Sequence, residues 1–509
     1  MKLKGKGKQI QISVFAAILS VINLLLYNIP FFAFISEHAE FGTWARVGLM
    51  TAMVIIVLVL NYVVFYTLLQ LLRYVGQVII SLLFFVSGVC TYFIFVYHNF
   101  MDEAMISNVF NTRASEVAGF INPSLFIGVA LLGLLPMVYV LLQKTQRQSW
   151  KLFGIYTGSG LGLTLVVILI NLNQVLWVGK YDTELGGLTM PWSWIVNSGL
   201  YVKHHKDKEV KELPLPPATI GNEQKEVFVL VIGESSRKAN WQLYGYERET
   251  NPRLSQRKDL IVLQTEACAT YTTAGVKSIL EYKATSDLYE ILPNYLFNAG
   301  VDVVWRTHNW GEPPVHVDEY EHINDLADRY GASRDFDETL LIGLKDRIMQ
   351  SDKNKVLIVL HTNTSHGPDY QRQYPAQYEY FVPVCSRVED AQSEPEHLMN
   401  AYDNTIRYTD ALIANLIDTL QTITDYGCSM LYVSDHGESL GENNLFMHGM
   451  PLKMAPKEQY EIPMILWTNT SRKVKEVGTV DQHYVFHTVL TSLSIESEIY
   501  DTEHDLWLK

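Results

Sequence analysis

The chain is predicted to fold as an α-helical membrane domain of five transmembrane helices followed by an outer α/β domain with a mainly parallel sheet flanked by helices. Two observations predict this. The first third carries five apolar stretches of about twenty residues, the length needed to cross a bilayer. Beyond residue 222, short apolar runs alternate with helical patterns, the signature of parallel strands joined by helices.

The apolar stretches lie near 10–34, 47–72, 78–97, 124–143 and 153–172. Their flanks set an orientation. Lys2, Lys4, Lys6, Lys8, Arg73, Lys144, Arg147 and Lys151 fall on alternate connections and face the cytoplasm by the positive-inside rule. The other connections carry Glu37, Glu40, Asp102, Glu103 and Glu116, so an odd number of spans leaves the remainder of the chain outside. The first stretch is too long for a cleavable signal and lacks a small-residue cleavage pattern, so it is read as an anchor. The domains expected are 1–175 for the membrane, 176–221 for interfacial helices and a linker, and 222–509 for the outer domain. Within the linker, the run Lys203 to Lys208 reads as a solvated face, and Pro214, Pro216 and Pro217 stiffen the approach to the outer domain.

In the outer domain the strand candidates are 227–232, 301–306, 356–361, 430–434 and 462–467, with a long helical pattern over 398–420. A formal net charge of −14 argues against nucleic acid as a partner, because a phosphate backbone needs a basic surface. Of the four cysteines, only Cys268, Cys385 and Cys428 lie in this domain, so it holds at most one internal disulfide.

Chemistry is concentrated at strand ends. Asp435 and His436 follow an apolar run, with His448 farther on, and the pair suggests a metal site at the carboxyl edge of a sheet, although such pairs also act as caps. Glu234 sits at the tip of the strand 227–232. His366 follows the strand 356–361. Between them, Cys268-Ala269-Thr270-Tyr271-Thr272-Thr273 precedes a helical pattern. A threonine at that helix start, Thr272 most naturally, would meet free backbone N–H groups that favour phosphate and a developing alkoxide.

The residues Gly233-Glu234-Ser235, Tyr244-Gly245-Tyr246, Thr250-Asn251-Pro252-Arg253-Leu254, Cys268 to Thr272, Ser365-His366-Gly367-Pro368 with Tyr374-Pro375, Ala401-Tyr402-Asp403-Asn404-Thr405 and the block from Asp435 to Pro451 together carry a resemblance. Over essentially its whole length the chain resembles the bacterial phosphoethanolamine transferases that modify lipid A and related envelope glycans. These are members of the sulfatase and alkaline phosphatase superfamily with an amino-terminal membrane domain of five helices.

The resemblance implies an alkaline-phosphatase-like outer domain on the periplasmic side of the bacterial inner membrane. Glu234, Thr272, Asp435 and His436 would bind one zinc ion, with Thr272 as nucleophile and Thr270 and Thr273 as alternatives. His366 and His448 would contact the transferred phosphate or hold a second zinc, and either could be the proton donor. The donor would be phosphatidylethanolamine and the acceptor lipid A, lipopolysaccharide or another envelope glycan. Asn108, Thr112 and Glu116, spaced by four residues, would line one helix face at the membrane surface and help bind the donor, Glu116 suiting its ammonium group. A single chain working as a monomer on membrane lipid is expected.

The chain also departs from the family. Relatives place a cysteine six residues after the nucleophile, where this chain has Ser278, so Cys268 is expected to lack that partner. The lysine that many lipid A enzymes place near the phosphate is missing from 305–314, and His308, Glu312 and His316 are the residues nearest in sequence that could replace it. Phosphoglycerol transfer in the same superfamily is the alternative function. A sulfatase is disfavoured by the absence of the Cys-x-Pro-x-Arg context, and a site that is only a relic by the completeness of the ligand set.

Overall fold

A computed structural model of the chain describes residues 9–39, 41–111, 120–207, 212–385 and 394–508. The chain divides into two compact units, the first ending at Asp207.

Among the described residues of the first unit, four helices are long and apolar enough to cross a membrane: Thr43–Leu72, Tyr74–Tyr97, Pro123–Leu142 and Trp150–Ile170. The pair Ile12–Tyr27 and Ile29–His38, bent by 57°, makes a fifth when counted as one span. The sequence suggested one continuous first stretch, and the break has two physical causes. Pro30 sits in the first turn of the second helix, where its ring blocks continuation of the preceding turn. Asn28 at the junction is buried, donates to Asn23 O and Met190 O, and accepts from Met190 N. The network continues as Asn61 donates to Asn23 Oδ1 and Trp192 Nε1 donates to Asn61 Oδ1. Apolar surroundings make unmatched amides costly, so these bonds fix the bend. The region read as interfacial contains helices Asp182–Leu188 and Trp192–Asp207. The charge run begins on the last turns of the second of these, and its final member, Lys208, lies outside the described residues.

The second unit is built on an eight-stranded sheet. Its strands in chain order are β1 (Glu226–Gly233), β2 (Leu260–Glu266), β3 (Asp302–Thr307), β4 (Glu319–His322), β5 (Lys355–His361), β6 (Gly427–Ser434), β7 (Glu461–Thr468) and β8 (Val480–Asp481). Across the sheet they lie in the order β8-β2-β7-β6-β1-β5-β3-β4. Only β7 runs antiparallel to its neighbours, so the sheet is mainly parallel, as expected from the alternating pattern.

Every residue of β1 is buried, which explains its unbroken apolar run. Phe228, Leu230 and Ile232 join the core with Leu357 and Val359 of β5 and Leu431 and Val433 of β6. Each such side chain contributes about 1.5–3 kcal/mol by leaving water. Strands β2, β4 and β8 were not recognised in the sequence. β2 is half exposed with alternating burial, and β8 has two residues. Three helices matter for the site: α1 (Thr272–Leu280), α2 (Pro395–Gln421) and α3 (Tyr484–Ser492).

Candidate active site and metal centre

Four adjacent parallel strands, β6, β1, β5 and β3, end together, and each delivers a polar side chain just beyond its carboxyl end. β1 delivers Glu234, β6 delivers Asp435 and His436, and β3 delivers Asn309. The segment after β5 carries His366. The turn after β2 leads into α1, whose first residue is Thr272. Its hydroxyl therefore sits at a helix amino terminus, where unpaired N–H groups and the helix dipole favour negative charge.

The four residues of the expected ligand set converge. Thr272 Oγ1 lies 3.4 Å from Glu234 Oε2 and 3.3 Å from His436 Nε2. His436 Nε2 is in turn 3.4 Å from Glu234 Oε1 and 3.4 Å from Asp435 Oδ2. Tetrahedral zinc with ligands at about 2.0–2.1 Å requires spacings between ligands of about 3.3–3.4 Å. The donors are therefore spaced for one such ion, and their oxygen and nitrogen atoms suit it. Asp435 Oδ2 is buried without a hydrogen-bond partner, which a cation would supply.

Electrostatics support the same fit. Burial opposes ionisation of Glu234, but the hydrogen bond and charge of His436, with His366 and His448 nearby, hold its carboxyl well below the usual range. Burial and the Glu234 charge push Asp435 well above it. Burial disfavours charge on His436, yet Asp435 and Glu234 raise it to about 10. Two carboxylates facing one imidazole leave net negative charge in a buried place, so the cluster takes up a proton or a cation.

Surrounding groups orient the ligands. Asn309 Nδ2 donates to Glu234 Oε2 at 2.7 Å, and Ser235 Oγ donates to Glu234 Oε1 at 2.6 Å. The backbone N–H groups of Ser235 and His436 both donate to Asp435 Oδ1. His436 Nδ1 is 2.8 Å from Gly437 O, which assigns a proton to Nδ1 and turns Nε2 toward Glu234, Asp435 and Thr272. His448 repeats the device: Nδ1 is 2.7 Å from Glu438 Oε2, while Tyr370 holds Glu438 Oε1. Burial and the His436 charge lower the pKa of His448, favouring its neutral form. The His448 ring centroid lies 4.2 Å from that of His436 and 6.2 Å from that of His366. His366 Nδ1 is buried with no hydrogen-bond partner.

Backbone strain gathers here. Ser235, Ser365 and Met447 have φ of 50°, 81° and 69°, and each directly neighbours a site residue, Glu234, His366 or His448. Such conformations cost about 1–3 kcal/mol each and persist where the surroundings enforce them. One helix enforces two of them. On α2, Tyr402 Oη donates to Ser235 O at 2.6 Å, and Thr405 Oγ1 lies 2.6 Å from Ser365 Oγ. The helix that begins at Thr272 is held equally closely, since a Cβ on Gly275 would lie 2.2 Å from Asp435 O. Only glycine permits that approach.

Other expected residues fall elsewhere. Thr270 Oγ1 donates to Met450 O at 2.6 Å and is committed to the fold. His308 pairs with Asp337 at 2.7 Å, Glu312 Oε2 lies 3.4 Å from His361 Nδ1, and His316 is exposed, 3.9 Å from Glu212. Asn108 lies on the helix Glu103–Asn111 of the membrane unit, while Thr112 and Glu116 lie outside the described residues. Among the described residues no two cysteines form a disulfide. Sequence reasoning missed Asn309, Glu438, Tyr370 and Asp337. Asn309 had a legible signal, its position two residues beyond the strand β3, whereas the others are recognised only through their partners in space.

Comparison with known proteins agrees with this architecture. The family described as Sulfatase matches residues 226–495, and the one described as Phosphoethanolamine transferase EptA/EptB matches residues 57–206. Phosphoethanolamine transferase EptA of Helicobacter pylori is 35% identical over 492 residues, covering 92% of this chain and 91% of that protein. Phosphatidylethanolamine transferase Mcr-2 of Escherichia coli is 31% identical, covering 90% of this chain and 89% of its own length. Among solved structures, the integral membrane protein lipooligosaccharide phosphoethanolamine transferase A from Neisseria meningitidis superimposes with a TM-score of 0.87 at 26% identity, covering 98% of this chain and 99% of that one. The chain belongs to the phosphoethanolamine transferase family, enzymes that join a multi-pass membrane domain to a sulfatase-type α/β domain.

Proposed function

We propose that this enzyme transfers phosphoethanolamine from phosphatidylethanolamine to lipid A or a related lipopolysaccharide acceptor through an intermediate on Thr272. The observation that carries the reading is the convergence of Thr272 Oγ1, Glu234, Asp435 and His436 at spacings of 3.3–3.4 Å. The acceptor class is supported by the lipooligosaccharide enzyme that this chain resembles along its whole length.

Glu234, Asp435, His436 and the Thr272 hydroxyl would hold one zinc ion. When bound, zinc supplies Lewis acidity that favours the ionised hydroxyl and offsets charge on phosphoryl oxygens. Thr272, at its helix start, attacks phosphorus. The Oγ–P bond forms, the bond from phosphorus to the diacylglycerol oxygen breaks, and that oxygen takes a proton from His366, or from His448 in the state where its Nε2 is also protonated. Neutral His448 holds its proton at Nδ1 toward Glu438, so its Nε2 faces the reaction as an acceptor and suits activation of the incoming acceptor hydroxyl or phosphate. In the second step the acceptor oxygen attacks phosphorus and the Oγ–P bond breaks, which restores Thr272. Asn309 and Ser235 keep the Glu234 carboxylate fixed throughout.

Asn108, Thr112 and Glu116 are proposed to bind the donor headgroup, with Glu116 matched to its ammonium. The membrane unit is assigned to the bacterial inner membrane, the outer unit to the periplasm, and the working form to a monomer. His366 and His448 are also the residues that would hold a second zinc.

The test uses the full-length enzyme with zinc and a lipid A acceptor in vesicles of phosphatidylethanolamine or phosphatidylglycerol, reading diacylglycerol release and acceptor mass. Release and a phosphoethanolamine increment only with the first lipid support the reading. Turnover only with the second would replace it with phosphoglycerol transfer.

A further inference from the structure

A second cluster of ligand-type side chains lies on the other side of the nucleophile segment and takes no part in the proposed reaction. Strand β8 pairs in parallel with β2, setting Asp481 beside Glu266, two residues before Cys268. His483 directly precedes α3. This pairing brings Cys268 Sγ to 3.4 Å and Asp481 Oδ1 to 3.3 Å from one atom, His483 Nδ1. One ligand atom from each residue lies within 4.8 Å of the others.

The opposite side of the ring matches this arrangement. His483 Nε2 is 3.3 Å from Glu281 Oε1, and Glu281 Oε2 is in turn 2.8 Å from Lys277. With Glu281 accepting the Nε2 proton, loss of the Nδ1 proton would leave the Nδ1 lone pair facing the thiol and Asp481, which is how carboxylates orient ligating histidines. With bond lengths of about 2.3 Å to sulfur and 2.0–2.1 Å to nitrogen or oxygen, tetrahedral zinc needs an S to N spacing of about 3.5 Å and an O to N spacing of about 3.3 Å. The observed distances meet both. His483 and Glu281 are buried while Cys268 and Asp481 are half exposed, so the cluster is anchored inside and open at one side to an ion and a water.

We propose that Cys268, Asp481 and His483 form a second metal site that takes a thiolate-accepting divalent cation of the zinc class. Binding removes the thiol proton of Cys268 and any proton on His483 Nδ1, both released to solvent, with no change in oxidation state. The site would fix the segment four residues ahead of Thr272 against the start of α3. Gln482 already links the two: its Oε1 accepts from Cys268 N at 3.0 Å, and its Nε2 donates to Asp435 O at 2.6 Å and Ser434 O at 3.0 Å.

Sulfur makes the two sites separable by spectroscopy, because the donors of the Glu234 cluster are oxygen and nitrogen only. The experiment titrates metal-free full-length protein with cobalt(II) and follows the near-ultraviolet sulfur-to-metal charge-transfer band. The band is expected in the native chain and in Glu234→Gln, and is expected to be lost in Cys268→Ser. Cobalt uptake without the band, or a band that survives in Cys268→Ser, overturns the proposal. A second measurement needs no variant: alkylation of the native chain is mapped by peptide mass with zinc or with chelator. At zinc ten times the dissociation constant, Cys268 should react about tenfold more slowly, as mass action requires. Equal rates overturn the proposal, as does slowing shared equally by Cys385 and Cys428.

Discussion

The two histidine clusters that flank the segment from Cys268 to Thr272 differ in how they are made. The Glu234 cluster is fully buried, uses oxygen and nitrogen donors, and stands at the ends of adjacent parallel strands. The Cys268 cluster is half exposed, includes sulfur, and depends on the two-residue strand β8 at the sheet edge. The first places the Thr272 hydroxyl among its donors at a helix amino terminus; the second holds no hydroxyl so placed. The contrast teaches that similar ligand spacing does not by itself make a reaction site. In the proposed reaction, reactivity comes from Thr272 at the start of α1, and the cluster around it supplies charge and position.

Removing that hydroxyl is the hardest way to break the comparison. Thr272→Ala should lower transfer on the order of 10⁴-fold or more, as loss of a nucleophile does. Thr270→Ala removes a bond to Met450 O and should act through stability, leaving a chain that still forms the intermediate. Steady-state transfer assays on both variants check this.

Next in size is Asn309→Ala, which leaves Glu234, Thr272, Asp435 and His436 in place and frees Glu234 Oε2 from its 2.7 Å donor. Groups that orient ligands commonly contribute 10–100-fold in metal affinity. Zinc competition with a chelator should show a loss of about that size, while the cobalt–sulfur band of the Cys268 cluster stays unchanged.

A smaller effect concerns the loop that carries His366. Asp337 accepts from the N–H groups of Asn363 and Thr364 and pairs with His308. Burial opposes its charge, but His308, the Thr364 hydroxyl and the Asn363 N–H hold its carboxyl below the ordinary value of 3.8. A depressed carboxyl stabilises the fold fully above its unfolded pKa and loses that contribution as pH falls through the folded value. Asp337→Asn should therefore cost about 1–3 kcal/mol at neutral pH and flatten the acid limb of thermal stability measured against pH. Equal costs at pH 7 and at the acid limit would contradict the pairing.

The smallest change expected at the reaction site is that of Cys268→Ser. It should lower the metal content of the purified protein by one site while the ion at Glu234, Asp435 and His436 remains, as read by elemental analysis.

Much of this difference was already visible in the sequence. Strands β1, β5 and β6 are buried on both faces, so their unbroken apolar runs announced themselves and pointed to Glu234, His366, Asp435 and His436 as strand-end residues. Thr272 was legible from the polar segment ahead of a helical pattern. Strand β2 alternates burial and β8 is two residues long, so neither exceeds the background of loops, and the meeting of Cys268 with Asp481 and His483 stayed hidden. Glu438 illustrates a different gap. It stands in the block that contains His436, yet its role depends on His448, which a turn through Met447 at φ 69° brings back beside it. In the membrane unit, hydropathy located the spans but not the bend at Asn28, since its amide partners at Met190 lie 162 residues away.

The most direct test of the central claim is intact-mass spectrometry of the zinc-loaded protein after incubation with phosphatidylethanolamine and no acceptor, comparing the native chain, Thr272→Ala and Thr270→Ala. The account predicts a phosphoethanolamine increment on the native chain and on Thr270→Ala, and none on Thr272→Ala. An increment that persists in Thr272→Ala, or one that disappears only in Thr270→Ala, would contradict it.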